Sequence, residues 1–266
     1  MLDSDVGRRN HVTVTGAGSK TVVLAHGFGS NQTSWRRQVE ALSSRYRVVL
    51  FDHVGYGRSD LSAYSPRRYR TLQGYAMDLL EVLGAAEATR VCYVGHSMSG
   101  MIGVLAAIAQ PERFEKLMLM CGSPRYVNEE GYRGGFDQAD IDATYEAMST
   151  NYHAWAAGFA GAMMAAPERP HLAQEFADEL SAVRPDIAQA AIRVIFESDH
   201  RPDLPRLGVP TCVVQADRDL AVPMEVGRYM ARTIPRADYV LIQASGHFPH
   251  VSAPEAIIEA MLSYFD

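Results

Sequence analysis

The strongest chemical signal in the sequence is a serine that lies between a β-branched apolar run and a helical one. Residues 95–100 are Gly-His-Ser-Met-Ser-Gly, after the run VCYV and before MIGVLAAIA. A serine in a tight strand-to-helix turn points its hydroxyl out of the sheet, and the next amide lies at a helix N-terminus, where an oxyanion is stabilised. The strict pattern ends in glycine, but Ser99 is small enough to keep the turn. We predict that Ser97 is a nucleophile; a structural serine that caps the helix is the alternative.

A serine is a weak nucleophile unless a base accepts its proton and an acid orients that base. Asp217 and Asp219 follow the run TCVVQ, and His247 follows the run YVLIQ, which gives the chain order serine, acid, histidine. Asp219 is the preferred acid because Asp-x-x-Val-Pro matches the usual acid loop. Asp217 is the rival, and otherwise it shapes the turn. We predict that His247 is the base and that His250 is a surface-loop histidine.

The loop 26–29, His-Gly-Phe-Gly, follows the run TVVLA. A loop of this kind supplies the second backbone N–H group of an oxyanion hole. We therefore assign the hole to the N–H groups of Phe28 and Met98. His26 is predicted to be a structural hydrogen-bonding residue and not a catalytic one.

Other spacings in the sequence do not predict a metal or a cofactor. His247 and His250 could form a metal-binding pair, but no further cysteine or histidine lies at ligand spacing. The segments 16–18 (Gly-Ala-Gly) and 55–57 (Gly-Tyr-Gly) lack the full phosphate-binding fingerprint and are predicted to be turns. We expect no metal and no cofactor.

Short apolar runs that alternate with helical patterns must position these residues. Successive apolar residues, as in VVLA and LMLM, are typical of strands covered on both faces, as in a parallel sheet flanked by helices. The predicted strands are 11–15, 21–25, 46–51, 90–94, 116–121, 211–215 and 239–243. The predicted helices outside the insertion are 34–43, 71–83, 98–109, 224–233 and 254–264. We therefore predict an α/β fold with a mostly parallel, doubly wound sheet that binds ligands at the carboxyl ends of its strands.

The alternation of strands and helices is interrupted after the fifth predicted strand. The segment that follows contains no convincing strand, and its prolines and Asn151 suit the starts of helices. Four short helices are predicted, at about 137–149, 151–165, 170–183 and 185–198. Residues 124–204 carry 14 Asp and Glu against 6 Lys and Arg, so the net negative charge of the chain is concentrated here. We predict a helical lid at 124–204 above an α/β core formed by 1–123 and 205–266.

Large apolar residues recur in the insertion at spacings of three and four, from Ile141 to Met163. Such a stripe is common in helix packing, and it also suits a lid that faces the serine. The candidates for the substrate pocket are Phe28, His96, Trp155, Phe159 and Phe196. No Arg or Lys is clearly placed to bind a carboxylate or a phosphate, so we expect a small, apolar and neutral ligand.

Composition and charge exclude several classes of protein. A chain of 266 residues can bury a full core, and its net charge of -6 argues against a nucleic-acid or anionic-membrane partner. The longest apolar stretch is far shorter than a membrane span. The N-terminal residues contain no apolar leader, so we expect no secretory signal and a cytoplasmic location. Cys92, Cys121 and Cys212 are expected to be buried free thiols.

The serine turn, the His-Gly-x-Gly loop, the acid and the histidine together resemble the α/β-hydrolase fold over nearly the whole chain. More specific segments resemble the RsbQ-type bacterial stress regulators and the related strigolactone and karrikin receptors. These segments are GHSMSG (95–100), SPRY (123–126), GGF (134–136), NYxAW (151–155), FxSDHR (196–201) and GHFPH (246–250). The resemblance implies a four-helix lid, a Ser–His–Asp triad, slow hydrolysis of a small hydrophobic ligand and a signalling partner. That partner is a PAS-containing phosphatase in the RsbQ type and an F-box protein in the plant type.

Two functions are compatible with these residues. The first is a serine hydrolase of the RsbQ or strigolactone-receptor type, which hydrolyses or senses a small hydrophobic ester or lactone and is coupled to stress signalling. The alternative is a metabolic carboxylesterase or lactonase with no signalling partner. The triad does not separate the two, because both would use the same active site.

Overall fold

A single sheet carries the residues that the sequence singles out. The computed structural model describes Leu2 and residues 4–266. Within those residues, seven strands are ordered β1-β3-β2-β4-β5-β6-β7 across the sheet. They are Thr13–Thr15 (β1), Thr21–Ala25 (β2), Arg47–Phe51 (β3), Val91–His96 (β4), Phe114–Met120 (β5), Thr211–Arg218 (β6) and Ala237–Ser245 (β7). β1 pairs antiparallel with β3, and every other neighbouring pair is parallel, which confirms the predicted mostly parallel sheet.

Helices pack on both faces of this sheet. Outside the insertion they are Asp5–Arg9 (α1), Arg36–Leu42 (α2), Leu72–Ala85 (α3), Met98–Ala109 (α4), Met224–Thr233 (α9), Pro249–Ser252 (α10) and Pro254–Phe265 (α11). Alternate residues of β2 enter different apolar clusters: Val23 packs with residues of α3 and α4, whereas Val22 packs with residues of α2 and α11. A strand that is buried on both sides needs apolar residues at successive positions, which explains the continuous runs in the sequence.

The insertion folds into the four predicted helices. They are Gln138–Thr150 (α5), Tyr152–Met164 (α6), Pro170–Ser181 (α7) and Pro185–Glu197 (α8). Asp137 and Asp140 form a capping box at the start of α5, and the Asn151 side chain accepts from the N–H of Ala154 in the first turn of α6. The structure adds a short hairpin before α5, in which Glu129 and Tyr132 pair, and which the sequence did not predict.

Two further differences from the sequence prediction lie near the N-terminus. β1 begins at Thr13 instead of residue 11, because His11 has a φ of +44° and cannot be extended. α1 was not predicted; the Ser4 hydroxyl caps it by accepting from the N–H of Gly7 at 2.9 Å. Neither difference moves a candidate site residue.

The three cysteines are buried and unpaired, as predicted. No helix within Leu2 and residues 4–266 has both the length and the apolar character that crossing a bilayer requires.

Candidate active site

Ser97 lies in the turn between β4 and α4. Its backbone angles, φ +56° and ψ −121°, are rarely adopted by residues other than glycine. The turn depends on a close approach, because a Cβ atom on Gly95 would lie 2.3 Å from the carbonyl oxygen of Ser99. This strained turn holds the Ser97 hydroxyl at the carboxyl end of β4, and strain of this kind clusters at functional sites.

Ser97, His247 and Asp219 form one continuous chain of hydrogen bonds. The Oγ atom of Ser97 lies 2.8 Å from Nε2 of His247, and Nδ1 of His247 lies 2.8 Å from Oδ2 of Asp219. A carboxylate only accepts hydrogen bonds, so Nδ1–H of His247 donates to Asp219. The unprotonated Nε2 then accepts from the Ser97 hydroxyl. The structure thus brings together the three side chains singled out in the sequence, each from a loop at the same edge of the sheet.

The two candidate acids have different partners. Oδ1 of Asp219 accepts from two main-chain N–H groups of its own loop, at 2.8 and 3.1 Å, which leaves Oδ2 for His247. Oδ1 of Asp217 instead accepts from the N–H of Ala244 at 2.9 Å and ties β6 to β7. The structure therefore places Asp219, and not Asp217, against the imidazole.

The N–H groups of Phe28 and Met98 flank the serine. Met98 is the first residue of α4, so its N–H is one of the unpaired donors of a helix N-terminus. The main-chain hydrogen bonds among the described residues include no acceptor for either N–H. The loop of Phe28 comes very close to the nucleophile, because a Cβ atom on Gly27 would lie 3.1 Å from Cβ of Ser97. Both N–H groups are therefore available as donors, and their assignment to an oxyanion hole stays a prediction.

A cavity lies above Ser97. It is lined by Phe28, His96, Ser97, Tyr126, Phe136, Phe159, Met163, Phe176, Ile192, Ile195, Phe196, Ala221, His247 and Phe248. Four of the five candidate pocket residues are in this lining. No Arg or Lys is among the described residues that line the cavity, so the site favours an apolar and neutral ligand.

Trp155, the fifth candidate, does not line the cavity. It is half-buried and stacks on Phe159, with ring centroids 5.0 Å apart, and it meets Phe28 in an edge-to-face contact with ring centroids 6.5 Å apart. The assignment of Trp155 to the pocket is therefore corrected: it packs against Phe28 and Phe159, which line the cavity.

Several lining residues were missed, because the side chains that face the serine are decided by how the segment 124–204 and the loop after β7 pack over it. Among the aromatic ones are Tyr126, Phe136, Phe176 and Phe248. Phe248 directly follows His247, a signal that could have identified it. Tyr126 adds a polar group to the apolar lining; burial raises the pKa of Tyr126, and a hydrogen bond with Ser97 acts in the opposite direction.

The histidine before the nucleophile lines the cavity but has a fixed partner. Nε2–H of His96 donates to the carbonyl oxygen of His247 at 2.7 Å. Burial, together with the neighbouring His250 and His247, holds the pKa of His96 well below its usual value, so the ring stays neutral. His96 thereby connects the serine turn to the histidine loop.

His250 is not a surface residue, contrary to the sequence prediction. It is completely buried and stacks on Trp35, with ring centroids 4.3 Å apart. Burial is the main reason that the pKa of His250 falls to about 3, and the nearby His247 and His26 lower it further. His250 therefore belongs to the core beneath the site.

Cys121, Asp219 and His247 have potential ligand atoms within 4.8 Å of one another. Burial raises the pKa of the Cys121 thiol well above its usual value, and the Asp219 charge acts in the same direction. The thiol therefore keeps its proton, and Nδ1–H of His247 is directed at Asp219 and not at a shared centre. These atoms lie close together because Asp219 and His247 are hydrogen-bonded members of the triad, so their spacing does not by itself indicate a metal site.

The sequence matches the model of a family described as alpha/beta hydrolase fold over residues 20–254. It is 41% identical over 256 residues to Karrikin insensitive 2 receptor CA of Petunia hybrida, a match that covers 96% of this chain and 95% of that protein. It is 39% identical over 250 residues to Strigolactone esterase D14 of Arabidopsis thaliana, covering 94% and 93% of the two chains. The expected resemblance to karrikin and strigolactone receptors is thus confirmed.

Solved structures agree with this result. The hydrolase olei00960 from Oleispira antarctica superimposes with a TM-score of 0.95 and 36% sequence identity, over 98% of this chain and 96% of that one. A bromoperoxidase from Bacillus anthracis gives a TM-score of 0.88 and 26% identity, over 96% and 94%. Both solved structures therefore share the fold of this chain.

Proposed function

The chain belongs to the α/β-hydrolase family, and on that premise we propose that it is a serine hydrolase of small apolar esters or lactones. The observation that carries the proposal is the unbroken hydrogen-bond chain from Ser97 through His247 to Asp219, at the floor of an apolar cavity. Relatives named as esterases support ester bonds as the target.

The first half of the reaction is acylation. Ser97 Oγ attacks the carbonyl carbon of the substrate while Nε2 of His247 takes its proton, and Asp219 stabilises the imidazolium that forms. The carbonyl oxygen becomes an oxyanion between the N–H groups of Phe28 and Met98. One such donor typically contributes about 10²–10³ in kcat.

Loss of the alkoxide completes acylation, and hydrolysis of the ester on Ser97 then returns the enzyme to its starting state. The protonated His247 gives its proton to the departing alkoxide, which leaves an ester on Ser97. A water molecule then attacks this ester while His247 takes a proton from the water, and the acid product departs as Ser97 regains its hydrogen. For a lactone the alkoxide remains attached to the acyl group, so the ring opens into one product.

The polarity of the substrate follows from the cavity. Its lining is mostly apolar, and ligand pockets of this kind bury most of their ligand. Aromatic rings such as Phe28, Phe159 and Phe196 supply flat apolar contact area. The absence of a cationic residue among the described lining residues disfavours substrates that already carry a carboxylate.

We also propose that the same site senses its ligand and that the chain is coupled to stress signalling. Similar relatives include one named as a receptor and one named as an esterase, both at about 40% identity. A PAS-containing phosphatase as the partner stays a prediction from the resemblance to RsbQ. A metabolic carboxylesterase or lactonase is the competing function, and a kcat well above about 1 s⁻¹ on a butenolide would favour it.

The proposal is tested by hydrolysis of p-nitrophenyl acetate, p-nitrophenyl butyrate and a butenolide by the purified protein. We expect Ser97→Ala to lower kcat by at least about 10⁴-fold, because members of a triad act as a unit. Ser149→Ala, which removes an exposed hydroxyl on α5, should leave kcat unchanged. Loss of less than tenfold in Ser97→Ala would reject Ser97 as the nucleophile.

A further inference from the structure

The hydroxyl of Ser99 has two partners, although glycine is the usual residue at this position of the turn. Ser99 is completely buried, and its Oγ atom lies 2.5 Å from the carbonyl oxygen of His26 and 2.7 Å from Nε2 of His53. A carbonyl oxygen only accepts, so the Ser99 hydroxyl donates its one proton to His26. Its oxygen must then accept from Nε2–H of His53.

The protonation state of His53 agrees with this direction of the hydrogen bonds. Burial, and secondly the neighbouring His26, keep the pKa of His53 well below its usual value, so the ring carries a single proton. Nδ1 of His53 is buried without a hydrogen-bond partner among the described residues, whereas Nε2 has one. The proton therefore lies on Nε2, so His53 donates to the Ser99 hydroxyl, and Ser99 donates to the carbonyl oxygen of His26.

The same residues orient the loop that carries Phe28. Nε2 of His26 accepts from the N–H of His53 at 3.0 Å, so its Nδ1–H donates to the carbonyl oxygen of Gly27 at 2.8 Å. The peptide between Gly27 and Phe28 is planar and trans, so its C=O and N–H point in opposite directions. Fixing the carbonyl of Gly27 thus fixes the direction of the Phe28 N–H.

Ser99 itself follows Met98, whose N–H is the other donor of the oxyanion hole. We propose that Ser99 is a positioning residue, whose hydroxyl joins the first turn of α4 to the loop of Phe28 and sets the distance between the two N–H groups. The inference rests on the proposed function, because it concerns the oxyanion hole of that site. A glycine at this position would leave the carbonyl of His26 without this donor.

Ser99→Ala and Ser99→Gly test the proposal. Active sites are first counted by stoichiometric labelling with a fluorophosphonate, so that unfolded protein does not contribute. Per labelled site, we expect kcat for p-nitrophenyl acetate to fall about tenfold or more while KM changes less than about threefold, because misplaced donors act mainly on the transition state. The inhibition constant of an alkylboronic acid should rise by a similar factor, because its tetrahedral adduct on Ser97 occupies the hole.

Ser34→Ala is the matched control. Ser34 is also buried, and its hydroxyl also donates to a main-chain carbonyl, that of Asn31 at 2.9 Å, but it lies outside the active site. We expect this variant to lose stability without losing kcat or boronic acid affinity. If Ser99→Ala and Ser99→Gly both keep kcat and boronic acid affinity within twofold of the wild type, Ser99 is only structural and the inference is overturned.

The same experiment separates this inference from the proposed function. Ser97-dependent hydrolysis in the wild type, combined with full activity of the Ser99 variants, would overturn the positioning role alone. Wild-type hydrolysis that does not depend on Ser97 would overturn the proposed function and the positioning role with it.

Discussion

Gly246 lies directly against the carbonyl oxygen of Met164, at the end of lid helix α6. A Cβ atom on Gly246 would be 2.2 Å from that oxygen, and the glycine has a φ of +86°. The next residue, His247, donates its N–H to the carbonyl oxygen of Met163 at 2.7 Å. The position of the imidazole therefore depends on the lid as well as on the sheet.

Gly246→Ala should displace the loop that carries His247. We expect kcat to fall at least about tenfold, because a shift of about 1 Å in a reacting group is enough for losses of that size. Gly131→Ala is the matched control: Gly131 also has a positive φ, +75°, but an added Cβ would meet nothing within 4 Å. Gly131→Ala should lower the midpoint of thermal unfolding slightly and leave kcat unchanged. Equal values of kcat in the two variants would show that the contact with Met164 is unimportant.

Asp219→Asn should identify the acid. An amide in place of the carboxylate presents a donor to Nδ1 and favours the wrong tautomer of His247, so kcat should fall by about 10⁴-fold, as in other triads. Asp217→Asn keeps an oxygen that can accept from the N–H of Ala244, and its kcat should stay within about threefold of the wild type. A large loss in Asp217→Asn, with activity retained in Asp219→Asn, would reverse the assignment.

Phe159→Ala and Trp155→Ala should have different effects, although both residues lie on one face of α6. Phe159 lines the cavity, so its loss should raise KM for p-nitrophenyl butyrate more than for the acetate. Trp155 packs against it, so its loss should lower the free energy of unfolding, by about 2 kcal/mol for a half-buried ring, with little change in the ratio of the two KM values. A change in KM that depends on the substrate in Trp155→Ala would show that Trp155 contacts the substrate after all.

His250 should make the protein less stable in mild acid. Its pKa is about 3 in the folded state and near 6.5 in the unfolded state, so the unfolded chain binds the proton first and stability is lost as the pH falls below about 6.5. Between pH 7 and pH 5 this loss is about 2 kcal/mol. His250→Phe retains the stacking on Trp35 and should remove that part of the loss, measured by urea unfolding at both pH values.

The control for this measurement is His153→Phe, a change at an exposed histidine of α6. It should leave the pH dependence of unfolding unchanged. If His250→Phe loses as much stability between pH 7 and pH 5 as the wild type, the burial of a neutral His250 is not the cause.

The seven strands and the positions of the triad were predictable from local patterns. Ser97, Asp219 and His247 each follow an apolar run, and parallel strands present their carboxyl ends at one edge of the sheet. Small residues such as Gly95 then mark the turn. These patterns involve only a few neighbouring residues, so a single sequence is enough to predict the strands and the turns that follow them.

The errors concern packing between segments that are distant in the chain. Trp155 and Phe159 lie four residues apart, so the helical period places both on one face, and only the placement of α6 over the sheet decides which ring enters the cavity. His250 follows a proline in a short segment, and its burial depends on Trp35, more than two hundred positions earlier. No local pattern contains these contacts.

Eight of the fourteen described residues that line the cavity come from the segment 124–204, whereas the reacting groups come from loops of the sheet. Most of the side chains that would contact a substrate therefore come from a different segment of the chain than the three reacting groups. Substitutions of the lid side chains that face the cavity can therefore exchange one substrate for another while the reacting groups are inherited unchanged, provided that the main-chain contacts of Met163 and Met164 with the loop of His247 are kept.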